Sequence, residues 1–428
     1  MAERGDEFEV AVIGAGPGGI AAAVTAAEAG KNVALVDNAP FAGGQIWRNL
    51  GTPAGLGNAA KRWLQRLNSC PGITHLRQST IAAVPGTREL LADTPAGPQI
   101  LRWRSLILAT GARELYLPFP GWTLPAVVGA GGLQALVKSG FSVQGKRVIV
   151  AGTGPLLLAV ASQLRAKGAI VPLILEQTEL KKLRNFAISL WRTPGKLLAG
   201  AALRTQLAGT RYLTDAYPLE VQQSPTGLRL RYRCGRAERT IDCDFLACGF
   251  HLVPNNELPI ALGCELSPGG HVRVDASLRT SLPDVYAIGE LTAIGGVEKA
   301  IVEGQIAAMY AVGNELGARP FERTQRSMLQ FARRMDETFA LRPEVLQLAA
   351  AETTICRCED VPLARIQACT GSRDSKLKTR CGMGPCQGRV CGAILRRILW
   401  NEPSHLRPPL FPTSIANLIA AGGKKTPE

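Results

Sequence analysis

Residues 8–37 read FEVAVIGAGPGGIAAAVTAAEAGKNVALVD, and this stretch decides the fold. An apolar run to Ile13, a glycine-rich turn from Gly14 to Gly19, an alanine-rich stretch and a second apolar run predict strand, turn, helix and strand. This βαβ unit carries glycines at the spacing Gly-x-Gly-x-x-Gly. Asp37 ends the second strand, where a carboxylate can accept hydrogen bonds from ribose hydroxyls. The stretch predicts a dinucleotide or adenine-nucleotide site, with phosphates at the amino end of the helix.

A second unit of the same kind lies further along the chain. Residues 147–151, an arginine followed by four apolar residues, predict a strand, Gly152 and Gly154 follow it, and Glu176 ends the next apolar run. Leu157 stands where the third glycine of the pattern would allow helix and strand to approach closely. NAD(P) binding by this second lobe therefore stays undecided. Two such units favour an α/β chain with two doubly wound lobes.

Length and charge limit the function classes. A chain of 428 residues predicts two or three domains. The net charge of +15 comes from scattered Lys and Arg residues, and no nucleic-acid-binding module is recognisable. Residues 148–164 are charge-free and apolar, but they are too short and too interrupted by Gly and Pro to span a membrane. We therefore expect no nucleic-acid partner, no transmembrane segment and, without a signal peptide, a cytoplasmic protein.

Cysteines are concentrated towards the C-terminal end. Six of the 11 cysteines lie between Cys356 and Cys391: two in a Cys-x-Cys pair, Cys369 by itself, and three in a glycine-rich stretch that begins at Cys381. In a cytoplasmic chain such clustering indicates metal or redox chemistry before disulfides. Four thiolates suit an iron–sulfur cluster and also a structural zinc ion, so spacing alone leaves both open.

Residues 8 to about 315 resemble the two-dinucleotide-binding-domain flavoproteins, the glutathione-reductase-like family. The resemblance rests on Gly14–Gly19, Gly43-Gly44-Gln45, Ala109-Thr110-Gly111 and Tyr286–Glu290, with Glu290 where the family usually has Asp. It implies two doubly wound lobes, the second inserted in the first, and FAD bound by the first. Residues 43–48 carry no cysteine, so a disulfide reductase is not expected. The implied FAD-binding residues are Gly14, Gly16, Pro17, Gly18, Gly19, Asp37, Gly43, Gly44, Gln45, Thr110, Gly111, Gly289 and Glu290.

Residues 356 to about 399 resemble the bacterioferritin-associated-ferredoxin-like [2Fe-2S] domain. The match is the Cys-x-Cys pair followed by the Gly-Met-Gly-x-Cys-Gln-Gly-x-x-Cys pattern at residues 382–391. It implies a [2Fe-2S] cluster with the ligands Cys356, Cys358, Cys386 and Cys391. Cys381 and Cys369, the latter on a predicted helix, fall outside the pattern and are interpreted as buried thiols. The isolated cysteines are interpreted as core residues: Cys70, Cys234, Cys243, Cys248 and Cys264.

The expected organisation is α/β, with two doubly wound lobes and a small helical C-terminal domain. The predicted parts are a discontinuous FAD-binding domain (1–118 and 245–318), an NAD-like domain (119–244), a helical connector (319–352), a [2Fe-2S]-binding domain (353–400) and a tail (401–428).

Nearly the whole chain resembles the FAD subunit shared by opine oxidases, D-hydroxyproline dehydrogenase and hydrogen cyanide synthase. Residues 118–125 and 131–134, between the lobes, contribute to this likeness. It implies an electron-transfer subunit of a heteromeric amino-acid or opine dehydrogenase, whose partner subunit carries the substrate-facing flavin. A small ferredoxin-like subunit is a second candidate partner, and the complex is expected in the cytoplasm or associated with a membrane.

No general base is recognisable. None of the four histidines stands in a base motif: His75, His251, His271 and His405. The catalytic residues are accordingly left unassigned, and Trp47 and Trp122 are interpreted as packing residues. Two alternatives stay open. One is an NAD(P)H-dependent FAD/[2Fe-2S] reductase, and the other is a nucleotide-binding scaffold subunit without a flavin redox role.

Overall fold

A computed structural model of the chain describes residues 6–48, 56–192, 194–400 and 406–422. Its strands are β1 (Asp6–Ile13), β2 (Val33–Val36), β3 (Ile73–Leu76), β4 (Thr80–Gly86), β5 (Glu89–Thr94), β6 (Gly97–Leu108), β7 (Ala112–Glu114), β8 (Val127–Gly129), β9 (Val148–Gly152), β10 (Leu173–Glu176), β11 (Arg211–Leu213), β12 (Ala216–Ser224), β13 (Gly227–Cys234), β14 (Ala237–Cys243), β15 (Phe245–Gly249), β16 (Leu252–Pro254), β17 (Val285–Ala287), β18 (Thr354–Cys356) and β19 (Val361–Pro362).

Its helices are α1 (Pro17–Glu28), α2 (Asn58–Ser69), α3 (Ala130–Lys138), α4 (Leu156–Ala166), α5 (Leu180–Ser189), α6 (Pro194–Gln206), α7 (Glu257–Leu262), α8 (Val297–Ala311), α9 (Glu315–Thr338), α10 (Pro343–Leu346), α11 (Leu363–Gln367), α12 (Ser372–Thr379), α13 (Cys391–Ile398) and α14 (Ile415–Gly422). Short 3₁₀ turns lie at Leu190–Arg192 and Gly289–Leu291. None of these described helices is long and apolar enough to cross a lipid bilayer.

The first compact unit consists of the described parts of residues 1–113, 254–333 and 404–428. Its sheet has the strand order β3-β2-β1-β6-β5-β4, with β17 paired to β6. Strands β1, β2, β3, β6 and β17 run parallel, whereas β4, β5 and β6 form an antiparallel meander. Ile13 pairs with Val36 and with Leu108, so the loops that follow β1, β2 and β6 begin at one edge of the sheet.

Small residues let two helices of this unit lie very close together. Helix α1 packs against α8, and a Cβ atom placed on Gly304 would lie 2.2 Å from the carbonyl oxygen of Gly18. Any side chain at Gly304 would therefore force the helices apart. The predicted helices at the start of the chain and after Val297 are confirmed by α1 and α8.

The second compact unit consists of residues 114–253 and 334–403, of which 193 and 401–403 are not described. Its five-stranded sheet is parallel, in the order β11-β10-β9-β15-β8, and is accompanied by the antiparallel sheet β12-β13-β14. Residues 354–398, which we call the cysteine-bearing segment, add the β18-β19 pair and helices α11, α12 and α13. The predicted α/β class, with the second lobe inserted in the first, is confirmed by this arrangement.

One apolar core joins the second lobe to the cysteine-bearing segment. It runs from Ile149 and Leu246 of the sheet to Ile355 and Ile394 beside the cysteines. Trp122 is 3% exposed within this core, and its Nε1 donates a hydrogen bond to the Thr354 carbonyl oxygen at 2.7 Å. The packing role predicted for Trp122 is confirmed, while the predicted domain boundaries stay predictions.

The tail contributes helix α14, which packs against β4, β5 and β6 of the first unit. Thr413 Oγ1 donates to an Asp93 carboxylate oxygen at 2.8 Å and so ties the segment before α14 to β5. Residue 405, one of the four histidines, lies outside the described residues.

Candidate functional site

The glycines of the first turn have different tasks. Gly14 has a φ of +109°, and a Cβ on it would lie 2.4 Å from the Ala109 carbonyl oxygen, while a Cβ on Gly19 would lie 1.8 Å from the Gly14 carbonyl oxygen. These two glycines are needed for packing. Around Gly16, by contrast, no described atom lies within 4 Å of the Cβ position. Gly16 precedes α1, which has Pro17 at its first turn, so its open side faces the free N–H groups of a helix start.

Asp37 lies beside this turn, directly after β2. Its carboxylate accepts hydrogen bonds from the backbone N–H groups of Ala15 and Ala39, the latter at 2.7 Å. Burial raises the pKa of Asp37, and those two bonds together with the nearby Arg48 charge offset part of the rise. The carboxylate is thus fixed at the edge where a ribose would bind.

The predicted segment Gly43–Gln45 lies against the same turn. The Gly43 N–H donates to the Ala15 carbonyl oxygen at 2.8 Å, and a Cβ on Gly44 would lie 2.9 Å from the Gly16 Cα. Gln45 is exposed and accepts a hydrogen bond from Arg48. Trp47 is 7% exposed in the apolar core of this unit, which confirms its packing role.

Thr110 and Gly111 follow β6 and are held by Asn255, which sequence reasoning missed. Thr110 Oγ1 donates to the Asn255 carbonyl oxygen at 2.7 Å, and Asn255 Nδ2 donates to the Thr110 carbonyl oxygen at 2.8 Å. The Asn255 N–H donates to the Gly111 carbonyl oxygen at 2.9 Å. Asn255 lies about 145 residues from Thr110 in sequence, so no local sequence pattern predicts this contact.

A buried ion pair fixes the turn that carries Glu290. Lys299 and Glu303 are 1% and 0% exposed and lie 2.8 Å apart, from Nζ to Oε2. Lys299 Nζ also donates to the Gly289 carbonyl oxygen at 2.8 Å, and the same Glu303 oxygen accepts from the Gly289 N–H at 2.7 Å. Burial raises the pKa of Glu290, and the Lys299 charge opposes this. A Lys and a Glu four positions apart in a mostly apolar helix were the signal that could have identified this pair.

These parts together fit a dinucleotide. The edge of the sheet at the carboxyl ends of β1, β2 and β6 has an open space at Gly16, free helix N–H groups and a fixed carboxylate at Asp37. The turn that carries Glu290 is held by hydrogen bonds to the Lys299–Glu303 pair. All four features come from loops or turns of one sheet and the helices covering it. FAD is therefore compatible with the residues that the sequence indicated.

The cysteine-bearing segment brings five thiols together in two groups. The Sγ atoms of Cys356, Cys381 and Cys391 all lie within 4.8 Å of one another, and each of these residues is at most 2% exposed. Cys358 is exposed, and its side chain is hydrogen-bonded to that of Cys386. Four of the five are the predicted ligands, and the structure adds Cys381 to the buried group.

Glycines allow the chain to wind this tightly. A Cβ on Gly384 would lie 2.3 Å from the Cys358 Cβ atom. Gly382 and Gly388 have φ values of +84° and +79°, and a Cβ on Gly382 would be 4.0 Å from Cys391 Sγ. The Gly-Met-Gly-x-Cys-Gln-Gly pattern thus supplies close approach and left-handed turns around the thiols.

The protonation of the thiols bears on metal binding. Burial raises the pKa of Cys356, and a hydrogen bond with Cys381 followed by burial raises that of Cys391. The metal ligand is the thiolate, so a bound cation must displace these protons. The donor set fits an iron–sulfur cluster and also zinc. Cys369 lies just past α11, and its Sγ donates to the Arg365 carbonyl oxygen at 3.3 Å.

Two of the described histidines, His75 and His251, have hydrogen-bond partners within the fold. His75 Nδ1 accepts from Arg77 Nε at 3.2 Å, and His251 Nδ1 lies 3.0 Å from the Leu252 carbonyl oxygen.

Among the other cysteines, Cys243, Cys248 and Cys264 are buried as predicted, whereas the remaining two are partly buried.

Comparison with known proteins gives consistent matches. The family model for pyridine nucleotide-disulphide oxidoreductases matches residues 8–309. An opine oxidase subunit of Rhizobium meliloti is 31% identical, over 96% of this chain and 98% of that protein. The hydrogen cyanide synthase subunit HcnB of Pseudomonas protegens is also 31% identical, over 89% of each chain.

Solved structures support the fold. L-proline dehydrogenase from P. horikoshii superimposes with a TM-score of 0.66 at 17% identity, covering 96% of this chain and 79% of that one. T. acidophilum thioredoxin reductase matches with a TM-score of 0.57 at 21% identity, covering 72% and 99%. The predicted fold class and the predicted resemblance to the two-dinucleotide-binding-domain flavoproteins and to the opine oxidase and hydrogen cyanide synthase subunits are confirmed, while the [2Fe-2S] domain stays a prediction.

Proposed function

Because this chain belongs to the pyridine nucleotide-disulphide oxidoreductase family, we propose that it is the electron-transfer subunit of a heteromeric FAD-dependent amino-acid or opine dehydrogenase. The chain is an FAD-dependent oxidoreductase. The proposal is carried by the five grouped thiols in a chain that also has a dinucleotide-binding edge. The opine oxidase and hydrogen cyanide synthase relatives are named as subunits, which supports the existence of a partner.

The two groups that we propose divide the electron chemistry. When bound, FAD exchanges electron pairs and a [2Fe-2S] cluster passes single electrons. The residues of this chain bind and orient both groups. Asp37 would accept hydrogen bonds from the ribose, the N–H groups after Gly16 would face the phosphates, and Lys299, bonded to the Gly289 carbonyl oxygen, would keep the Glu290 turn in place.

Substrate oxidation is assigned to a partner subunit. We propose this because none of the four histidines stands in a recognisable base motif. We propose that the partner is a flavin-containing, substrate-oxidising subunit, and that the complex contains a small ferredoxin-like protein as a further component. The class of substrate would then be a secondary amine such as an opine or an N-substituted amino acid.

The first experiment tests the metal centre. Chain purified without oxygen is analysed for iron, acid-labile sulfide, zinc and flavin, and we expect two irons and two sulfides per cluster. Zinc without sulfide would overturn the relay. The variants Cys356→Ser and Cys391→Ser should lose iron, whereas Cys264→Ser, a buried thiol of the first unit, should keep it.

The same assay decides the ligand set. We propose Cys356, Cys358, Cys386 and Cys391 as ligands, so Cys381→Ser should retain iron and sulfide. Loss of iron in Cys381→Ser with retention in Cys358→Ser would instead assign the site to the buried group of three and a different fourth ligand.

The second experiment tests the assembly. The chain is co-purified from its native host, and the complex is assayed with a panel of opines and N-alkyl amino acids and an artificial dye as acceptor. We expect dye reduction that requires both the cluster and the partner subunit. Dye reduction by this chain alone with an amine would place substrate oxidation here and contradict the proposed division.

A further inference from the structure

The second lobe retains the framework of a dinucleotide site. Strand β9 leads into Gly152-Thr153-Gly154, α4 follows, and Glu176 ends the neighbouring strand β10. In such folds the ligand lies over the glycine turn at the carboxyl ends of the strands, and the acidic residue binds the ribose. A nicotinamide cofactor would have to occupy the space next to Thr153, Gly154 and the residues after Glu176.

That space is taken by residues 339–342, which we call the strap. Thr153 Oγ1 donates to the Phe339 carbonyl oxygen at 3.4 Å, and Gln177 Nε2 donates to the Ala340 carbonyl oxygen at 3.1 Å. The Arg342 N–H donates to Gln177 Oε1 at 3.0 Å. The strap is therefore bonded both to the glycine turn and to the residue that follows the acidic strand end.

The Phe339 side chain covers the turn itself. Its Cγ atom lies 3.9 Å from the Cβ position of Gly154, and the residue is 6% exposed. Its ring meets Phe186 edge-on, with centroids 5.3 Å apart. Around the Cβ position of the equivalent Gly16 in the first unit, no described atom outside its immediate chain neighbours lies within 4 Å, so the two turns differ in what covers them.

The acidic residue is closed off as well. Glu176 is 0% exposed, against 8% for Asp37. Its carboxylate accepts hydrogen bonds from the Gly154 N–H at 2.7 Å and the Thr178 N–H at 2.9 Å, as Asp37 does from its own turn, so the cover over Glu176 is what distinguishes the two sites. The Tyr212 hydroxyl lies 3.4 Å from the same carboxylate. Leu157, in place of the third glycine, is also 0% exposed and fills the contact between helix and sheet. The residues present do not fit NAD(P).

We propose that the strap is a permanent occupant of the second nucleotide fold, so that this lobe takes no NAD(P)H and instead anchors the cysteine-bearing segment. The strap immediately precedes α10, and the first proposed ligand, Cys356, follows in the same unit. A nucleotide fold that has lost its ligand thereby becomes the support of the metal centre. Electrons then reach the flavin from the partner subunit, not from a nicotinamide.

Two measurements on the full-length, flavin-loaded chain test the strap. NADH, NADPH and ADP-ribose are titrated calorimetrically to about 1 mM, the weak end of the affinity scale for a cofactor. We expect no saturable binding of any of the three. Saturable binding in this range would overturn the strap proposal. The proposed function is tested separately, by the iron and sulfide content, so the two can fail independently.

Amide hydrogen exchange measures how well the strap protects the backbone beneath it. In Phe339→Ala, peptides covering residues 152–157 and 176–178 should exchange roughly tenfold faster than in the wild type, because the covering ring is gone. The matched control is Phe141→Ala, which removes another edge-on aromatic partner of the same unit. It should leave those peptides unchanged. If Phe339→Ala does not fold, Phe339→Leu replaces it, with a smaller acceleration expected. Unchanged exchange in a folded Phe339 variant would refute the strap.

Discussion

Replacing Lys299 by Met should damage the first unit far more than the loss of one surface charge would. The side chain is 1% exposed, and its partner Glu303 is 0% exposed. Removing one partner of a buried ion pair leaves an uncompensated charge, which costs about 3–5 kcal/mol. For a unit of about 200 residues this lowers the melting temperature by on the order of 10 °C. The Gly289 carbonyl also loses its bond to Nζ, so the FAD content per purified chain should fall.

The pH dependence of this variant has a definite sign. Burial already raises the pKa of Glu303, and loss of the Lys299 charge raises it further. A carboxyl whose folded pKa lies above its unfolded value of 4.5 takes up a proton on folding, so its presence lowers stability increasingly as the pH rises above 4.5. The deficit of Lys299→Met should therefore be larger at pH 8 than at about pH 5.

A double variant and a surface control make the test sharp. Lys299→Met/Glu303→Met removes both charges and should recover much of the loss, because an apolar pair of similar volume is tolerated in place of a buried ion pair. Lys31→Met breaks the half-exposed Lys31–Glu9 pair of the same unit and should cost less than about 1 kcal/mol. Urea unfolding and thermal melts measure all four proteins. A Lys299→Met variant as stable as Lys31→Met, or a double variant no better than the single one, would refute the reasoning.

Three further outcomes are expected. Gly16→Val should keep the fold but lose FAD, because we propose that the phosphates approach its open side, whereas Gly57→Ala, also in open space, should keep FAD. Flavin absorbance of the purified proteins checks both. Burial lowers the pKa of His75 to about 4 from 6.5, so the unfolded chain binds the proton first and stability should fall as the pH drops from 6.5 towards 4. In His75→Gln the urea midpoint should fall less steeply with decreasing pH over this range, and a fall as steep as in the wild type would contradict this. Trp122→Phe leaves the Thr354 carbonyl without its 2.7 Å donor and should destabilise the second unit by about 1–3 kcal/mol; a melt within error of the wild type would exclude that role.

The sequence predicts those parts of the site whose geometry is determined by residues close to one another in the chain. Gly14, Gly16 and Gly19 are needed within one strand-turn-helix unit, so their spacing alone predicts the turn. The cysteine pattern is local in the same sense. Lys299 and Glu303 escaped notice because a charged pair on a helix is ordinarily solvated, and only the packing of α8 on α1 buries this one.

Features that depend on distant segments were not predictable from one sequence. Phe339 meets Thr153 across 186 residues, and no periodicity or motif marks such a contact. Leu157 indicated a weakened second site, but not what covers it. The proximity of Cys381 to Cys356 was missed because it depends on how the chain folds between them, which the spacing of the cysteines does not show.

The apolar core that the cysteine-bearing segment shares with the second lobe has a consequence for how this unit unfolds. Ile355 and Ile394 belong to the same buried cluster as Ile149 and Leu246 of the lobe, so the segment cannot open without exposing part of the core of the lobe. We therefore expect the segment and the lobe to become sensitive to proteases together, at one urea concentration, and not in two separate steps.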